Sequence, residues 1–192
     1  MRKLLLLFFL LSSHHLFPQS SPLPLEQSLR WRNIGPANQG GRIVDIEADA
    51  QDFTKVYLAT GSGGVWKSEN AGISWKPIFD SYETASIGDI AIDPSEHNTI
   101  WVGTGEANNR NSVSWGNGMY KSTDGGQSFV NMGLQSTQQI ARVLVHPKNS
   151  EEVCVCAIGH LWGYSGDRGL FKTQNGGKSW KKLKNGLPND GK

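Results

Sequence analysis

The sequence predicts an all-β chain: a β-propeller of four-stranded antiparallel blades, incomplete at three blades plus one orphan outer strand. Three observations predict it. A polar turn pattern, Ser/Thr-x-Asp/Asn-x-Gly-x-x-Trp/Phe, begins at Ser68, Ser122 and Thr173, with starts 54 and then 51 residues apart. That spacing is close to the length of one propeller blade. Short apolar or alternating segments fill each period, bounded by Gly, Pro, Asn and Asp, which is the pattern of strands joined by tight turns. The 192 residues also include 23 glycines and 7 tryptophans, a composition suited to many short strands.

First strands are expected at 43–46, 87–92 and 140–145, the last two stopped by Asp93-Pro94 and His146-Pro147, where a central strand could not continue. Second strands follow at 56–60, 100–104 and 153–157, and third strands at 65–67, 119–121 and 170–172. Fourth strands are expected to begin at Ser74, Ser128 and Ser179. The blades therefore span 43–79, 87–133 and 140–187. Residues 29–35 resemble a fourth strand without its own blade, since Trp31 stands 12 residues before Ile43 just as Trp75 stands 12 before Ile87. Each blade buries its faces only against neighbours, so the chain is expected to be the N-terminal part of a longer propeller, with the remaining blades from a longer chain or other subunits.

Residues 1–21 read as an export signal. Arg2 and Lys3 precede the unbroken apolar run 4–11, which is too short to span a bilayer and suits a signal core. The expected location is secreted, periplasmic or at the cell surface, with no stable membrane span. The formal charge of +2 includes Arg2 and Lys3, so the remainder is near neutral and offers no electrostatic case for nucleic acid. Cys154 and Cys156 share one face of a strand. They are read as core thiols, because a bridge between i and i+2 of an extended strand is sterically unsuitable.

Within each repeated turn, every position has a structural task. The hydroxyl of Ser68, Ser122 or Thr173 ties the turn, and the side chain of Asn70, Asp124 or Asn175 bonds backbone N–H groups further on. Gly72, Gly126 and Gly177 supply backbone freedom. Trp75, Phe129 and Trp180 offer apolar area to bury.

Blade topology then places second-to-third loops and inter-blade links at the opposite end. There the first blade has only 61–64, whereas the second carries 105–118 and the third 159–169. Loops rich in amide, aromatic and charged residues on a rigid scaffold form the expected ligand surface: Arg42, Glu106, Asn108, Asn109, Arg110, Trp115, His160, Trp162 and Arg168. Glu106 and Asp167 are the candidate catalytic carboxylates, since a glycosidase needs two flanking the scissile bond. The sequence contains no metal-ligand cluster, no cofactor motif and no nucleophile elbow.

The three turns resemble the Asp-box, or bacterial neuraminidase repeat. From Trp31-Arg32-Asn33-Ile34-Gly35-Pro36 onward the chain resembles the N-terminal part of large exported sortilin-type propeller proteins of bacteria, often labelled glycosyl hydrolases. The stretches carrying this are Gly40-Gly41-Arg42-Ile43, 101–111 and Gly159-His160-Leu161-Trp162-Gly163. Asp-boxes occur in sialidases, in xyloglucanase-type glycosidases and in non-catalytic sortilin receptors. Gly41-Arg42-Ile43-Val44 half matches the Phe-Arg-Ile-Pro setting of a sialidase arginine. The xyloglucanase type carries a catalytic Asp in a stretch resembling Arg-Thr-Asp-x-Gly-Gly. Here the stretch is Ala59-Thr60-Gly61-Ser62-Gly63-Gly64, with Gly61 in place of that carboxylate. The resemblance thus implies either a binding propeller for an extracellular peptide, protein or carbohydrate, or a glycoside hydrolase completed beyond residue 192.

Overall fold

Sheet order follows chain order. The computed structural model describes residues 41–163 and 167–184, all within one unit, Gly40–Lys192. The first sheet runs β1 (Ile43–Ala48), β2 (Val56–Thr60), β3 (Val65–Ser68) and β4 (Lys76–Pro77). The second runs β5 (Ile87–Ile92), β6 (Ile100–Thr104), β7 (Met119–Ser122) and β8 (Val130–Asn131). The third runs β9 (Ile140–His146), β10 (Asn149–Ala157), β11 (Gly169–Thr173) and β12 (Lys181–Leu183). All pairings are antiparallel. The expected signal at 1–21 and outer strand at 29–35 lie outside the described residues, as do 185–187.

The sheets stack with β5 between β1 and β9. Position in the stack explains the burial patterns. All five residues of β6, Ile100-Trp101-Val102-Gly103-Thr104, are buried, as a strand covered on both faces must be. In β2 only Tyr57 and Ala59 are buried, because one face of the first sheet meets the second. One core holds Tyr57, Val65, Phe79, Ile87, Ile90, Val102, Tyr120 and Phe129; the other holds Trp101, Met119, Ile140, Val143, Val153 and Val155. Burying one such large side chain contributes about 1.5–3 kcal/mol. Packing is tight enough that a Cβ on Gly88 would lie 1.9 Å from the Ile140 carbonyl oxygen, so that position admits only glycine.

The three repeated turns share one hydrogen-bond design. Gly72, Gly126 and Gly177 donate their N–H to the hydroxyls of Ser68, Ser122 and Thr173 at 2.8, 2.9 and 3.0 Å. Oδ1 of Asn70, Asp124 and Asn175 accepts the N–H of Ser74, Ser128 and Ser179, at 2.9 Å each time. These bonds hold the chain in the turn as far as Trp75, Phe129 and Trp180, so the fourth strands start two residues later than the sequence suggests, at Lys76, Val130 and Lys181. Each turn is tied to its sheet's first-to-second hairpin: Ala71 N–H to the Thr54 carbonyl and Gly125 N–H to that of Asn98, both in the connection, and Gly176 N–H to that of Glu151 near the start of β10. The repeated turns therefore sit together at one end.

Cys156 is exposed and Cys154 half-buried. The two do share a strand face, but it is the outer face of the third sheet, opposite Leu144, itself 58% exposed. They are not core thiols, because the described residues place no sheet against that face.

Candidate functional site

At the end remote from the repeated turns, each second-to-third loop starts by bonding to the residue ahead of its own first strand. Gly61 N–H reaches the Arg42 carbonyl at 3.0 Å, Gly105 N–H that of Ser86 at 2.7 Å, and Ile158 N–H that of Gln139 at 2.9 Å. The neck of the loop is also repeated. Thr60 bonds the Gly64 carbonyl through both N–H (3.1 Å) and Oγ1 (2.8 Å), and Thr104 does the same to Gly118 at 3.1 and 2.6 Å. The long insertion 105–118 is thus an excursion from a neck that the short loop 61–64 already has.

Glu106 lies just beyond the neck of this insertion, its N–H bonded to Ser86 Oγ. Its side chain is 0% exposed and accepts two bonds from Arg42, Nε to Oε1 at 2.8 Å and Nη2 to Oε2 at 2.6 Å. Paired guanidinium donors in this geometry form a strong, directional ion pair. The Glu106 carboxylate holds the Arg42 guanidinium in its charged form, its pKa raised above the usual value. The pair lies over Gly61: a Cβ there would stand 2.9 Å from Glu106 Cδ and 3.1 Å from Arg42 Nε. Glu106 and Arg42 thus join the first and second sheets, and the carboxylate is packed away from solvent rather than presented on the ligand surface.

The rest of insertion 105–118 is fixed by its backbone. Ser86 Oγ accepts the Glu106 N–H at 3.0 Å and donates to the Ser114 carbonyl at 2.9 Å. Thr84 Oγ1 donates to the Trp115 carbonyl at 3.0 Å, and Gly116 N–H to that of Gln138 at 2.7 Å. These holds leave the Trp115 ring 66% exposed; Trp162 is 67% exposed. Asn108, Asn109 and Arg110 are exposed, whereas His160, Asp167 and Arg168 are half-buried. Arg168 donates Nε to the Ile158 carbonyl at 2.7 Å, bracing its own loop. Ser86, Thr84 and the Gln138 carbonyl carry no motif, and only the three-dimensional juxtaposition reveals them. Among the described residues, no group of three or more His, Cys, Asp or Glu could hold a metal ion. No helix among them is long and apolar enough to cross a membrane.

The first strands carry a second array that the sequence pattern did not single out. Register shifts beside Asp45 and Asp89 turn their carboxylates toward the next first strand, a common use of a bulge. Asp45 Oδ2 accepts the Ile90 N–H at 3.3 Å and Asp89 Oδ2 the Val143 N–H at 2.7 Å. Arg142, the third member by register, turns back to Asp89 at 3.1 Å. Burial pushes the Asp89 carboxyl up to about 7, with the Asp45 charge adding to the rise, against the lowering effect of the Val143 N–H and of Arg142.

Comparison with known proteins agrees with this architecture. A xyloglucanase from Paenibacillus sp is 22% identical over 190 residues, covering 91% of this chain and 17% of that protein. An ancestral GH74 enzyme aligns in structure with a TM-score of 0.59 at 26% identity, over 75% of this chain and 18% of that one. YCF48 from Cyanidioschyzon merolae aligns with a TM-score of 0.53 at 18% identity, over 77% of this chain and 38% of that one. The chain spans a fifth or less of the length of the curated relatives it matches. The fold is that of a β-propeller, in part. Residues 63–189, about two thirds of the chain, match the model of the Sortilin-Vps10 family (sortilin, neurotensin receptor 3), and the chain belongs to that family.

Proposed function

We propose that this chain is part of an exported β-propeller that holds a peptide, protein or glycan ligand at its loop end without transforming it. One observation carries the reading: Glu106, at 0% exposure and engaged twice by Arg42, is committed to joining two sheets. A general acid or base must reach the proton it moves, and a buried carboxylate under a bidentate arginine does not. The groups that do face solvent there, Trp115, Trp162, Asn108, Asn109 and Arg110, suit stacking and hydrogen bonding. In this reading the repeated turns are Asp-boxes that brace the far end, 43–79, 87–133 and 140–187 are successive blades, 29–35 is a closing outer strand, and 1–21 is the export signal.

Binding assays on the full-length protein test this. Ligand capture without hydrolysis of aryl-glycosides or xyloglucan is the expected result, weakened about tenfold by Trp115→Ala or Trp162→Ala, the scale of losing one stacked aromatic contact. Turnover abolished by Glu106→Gln or Asp167→Asn at unchanged thermal stability would refute it. A second reading, a glycoside hydrolase of sialidase or xyloglucanase type completed beyond residue 192, has support from the xyloglucanase relatives and the GH74 alignment. It requires turnover by the full-length protein, with Asp167 as the candidate carboxylate within the described residues.

Further blades are proposed to cover the two outer faces, where Ile43, Ile46 and Leu144 are 60%, 58% and 58% exposed. Cys156 reports on this directly. It should react with maleimide at least tenfold more slowly in the native full-length protein than in the 192-residue chain. Equal rates would remove the case for a covering blade on the third sheet.

A further inference from the structure

The repeat itself points to a second binding site, running along the outer strand of the first sheet from the repeated turns toward Asp80 and Ser81. Between the first sheet's outer hairpin and the second repeated turn lies a groove of about 670 Å³. Its lining includes Lys67, Glu69, Lys76, Asp80, Ser74 and Gln127, with Ile78 and the backbone of Gly125 and Gly126 among the remaining contacts. Both walls belong to described sheets that already pack together, so a further blade would leave the groove between them.

Comparison with the next junction separates scaffold from addition. Lys67 pairs across β3–β4 with Lys76, and Lys121 pairs across β7–β8 with Val130. The scaffold positions recur: Lys67 as Lys121, and Ser74 as Ser128. The charges do not. Glu69, Lys76 and Asp80 stand where the second unit has Thr123, Val130 and Leu134. The second junction folds without those three charges, so folding alone does not demand them in the first.

Their arrangement carries recognition chemistry. Lys67 Nζ is 2.9 Å from Glu69 Oε1, while Lys76 and Asp80 form no ion pair among the described residues. Four residues apart on a stretch whose β-pairing extends to the Ile78 N–H, their Cα atoms lie up to about 13 Å from each other. Ser74 Oγ accepts the Asn70 Nδ2 bond, which leaves its own hydrogen to donate. Gln127 uses Nε2 on the Asp124 carbonyl, which leaves Oε1 to accept. A cation at one end, an anion at the other, and a donor and an acceptor nearby complement an extended peptide. We propose that this groove binds a short extended peptide segment bearing an acidic and a basic side chain, the acid toward Lys76 and the base toward Asp80.

The test uses the 192-residue chain and a dye-labelled Glu-Ala-Ala-Ala-Lys peptide, whose two charges share one face of an extended chain, followed by fluorescence anisotropy. Binding is expected below roughly 1 mM, and a Gln-Ala-Ala-Ala-Gln peptide should compete several-fold more weakly. Lys76→Glu and Asp80→Lys should each weaken binding by up to about fivefold, the scale of an exposed ion pair, with part of the loss restored when both are combined with the peptide of reversed charge order. Val130→Glu, in the sister junction, should leave affinity unchanged. All three substitutions are at exposed positions, and circular dichroism checks that each variant folds. Equal competition by the neutral peptide, indifference to Lys76 and Asp80, stronger competition by cellotetraose, or absence of binding at roughly 10 mM peptide would each overturn the proposal.

Discussion

The Arg42–Glu106 pair makes a prediction that separates an architectural carboxylate from a catalytic one. Glu106 is wholly buried, whereas the Arg42 side chain retains 28% exposure. The two partners should therefore respond unequally to removal. Glu106→Ala leaves a guanidinium that water can partly solvate; with two charge-assisted bonds lost, the cost is about 2–4 kcal/mol, just under the range for breaking a fully buried pair. Arg42→Ala leaves the carboxylate buried without a counter-ion and should cost more. Removing both should be no worse than removing Arg42 alone, since the stranded charge goes with it. Urea unfolding followed by tryptophan fluorescence measures all three variants. Gly61→Ala should act in the same direction, because its Cβ would come within 2.9 Å of Glu106 Cδ. The reasoning fails if Glu106→Ala costs under about 0.5 kcal/mol, or if Arg42→Ala is the milder change.

Two further predictions concern stability. Asp89 titrates near 7 in the folded chain against about 3.9 when unfolded, so the folded state holds an extra proton between those values. Stability from this group is full below about pH 4 and falls as pH rises toward 7, by at most about 1.4 kcal/mol per pH unit and about 4 kcal/mol in total. Asp89→Asn retains an acceptor for the Val143 N–H and should flatten that slope, with a higher Tm at pH 8; an unchanged pH profile would contradict it. Ala71 adopts φ 56°, where the other two turns have Gly125 and Gly176 at 71° and 64°. Left-handed backbone costs an alanine about 1–2 kcal/mol, offset partly by glycine's greater unfolded entropy. Ala71→Gly should therefore stabilise the chain by about 0.5–1 kcal/mol, seen as a rise in Tm of a few degrees; a fall would show that the turn tolerates alanine without strain.

The sheets were legible because the signals that specify them are local. Turn residues recur at fixed offsets and bound short apolar runs, but Val56-Tyr57-Leu58-Ala59-Thr60 and Ile100-Trp101-Val102-Gly103-Thr104 read alike, and only the fold shows that the first is covered on one face and the second on both. The loop end was legible only in outline. Trp115 and Trp162 are exposed there as a polar insertion suggests. Glu106, named for its charge, is buried, because only the folded chain brings Arg42 across 64 residues to meet it. The same applies to Asp49, whose Oδ1 lies 2.6 Å from His97 Nδ1 on the neighbouring sheet. The cysteines were misplaced for a related reason. Alternation identifies which residues share a face but not whether anything covers it.

An internal repeat supplies a control that a unique fold lacks. Equivalent positions face the same backbone geometry, so residues that stay the same answer to that geometry and departures must answer to something else. Glu106 shows that the something else can be structural: its register equivalents are Ser62 and Gly159, yet its charge is spent on Arg42. A departure gains functional weight only where its charge enters no ion pair, which is the condition Lys76 and Asp80 meet among the described residues. Arg142 is the remaining case. At the first two equivalents a carboxylate accepts an N–H from the following first strand. An arginine has only donors, so it cannot play that part, and its side chain is 61% exposed on the unpartnered face. Its ion pair runs back to Asp89, so at the third first strand the link between neighbouring sheets is doubled on the second sheet's carboxylate instead of being passed onward.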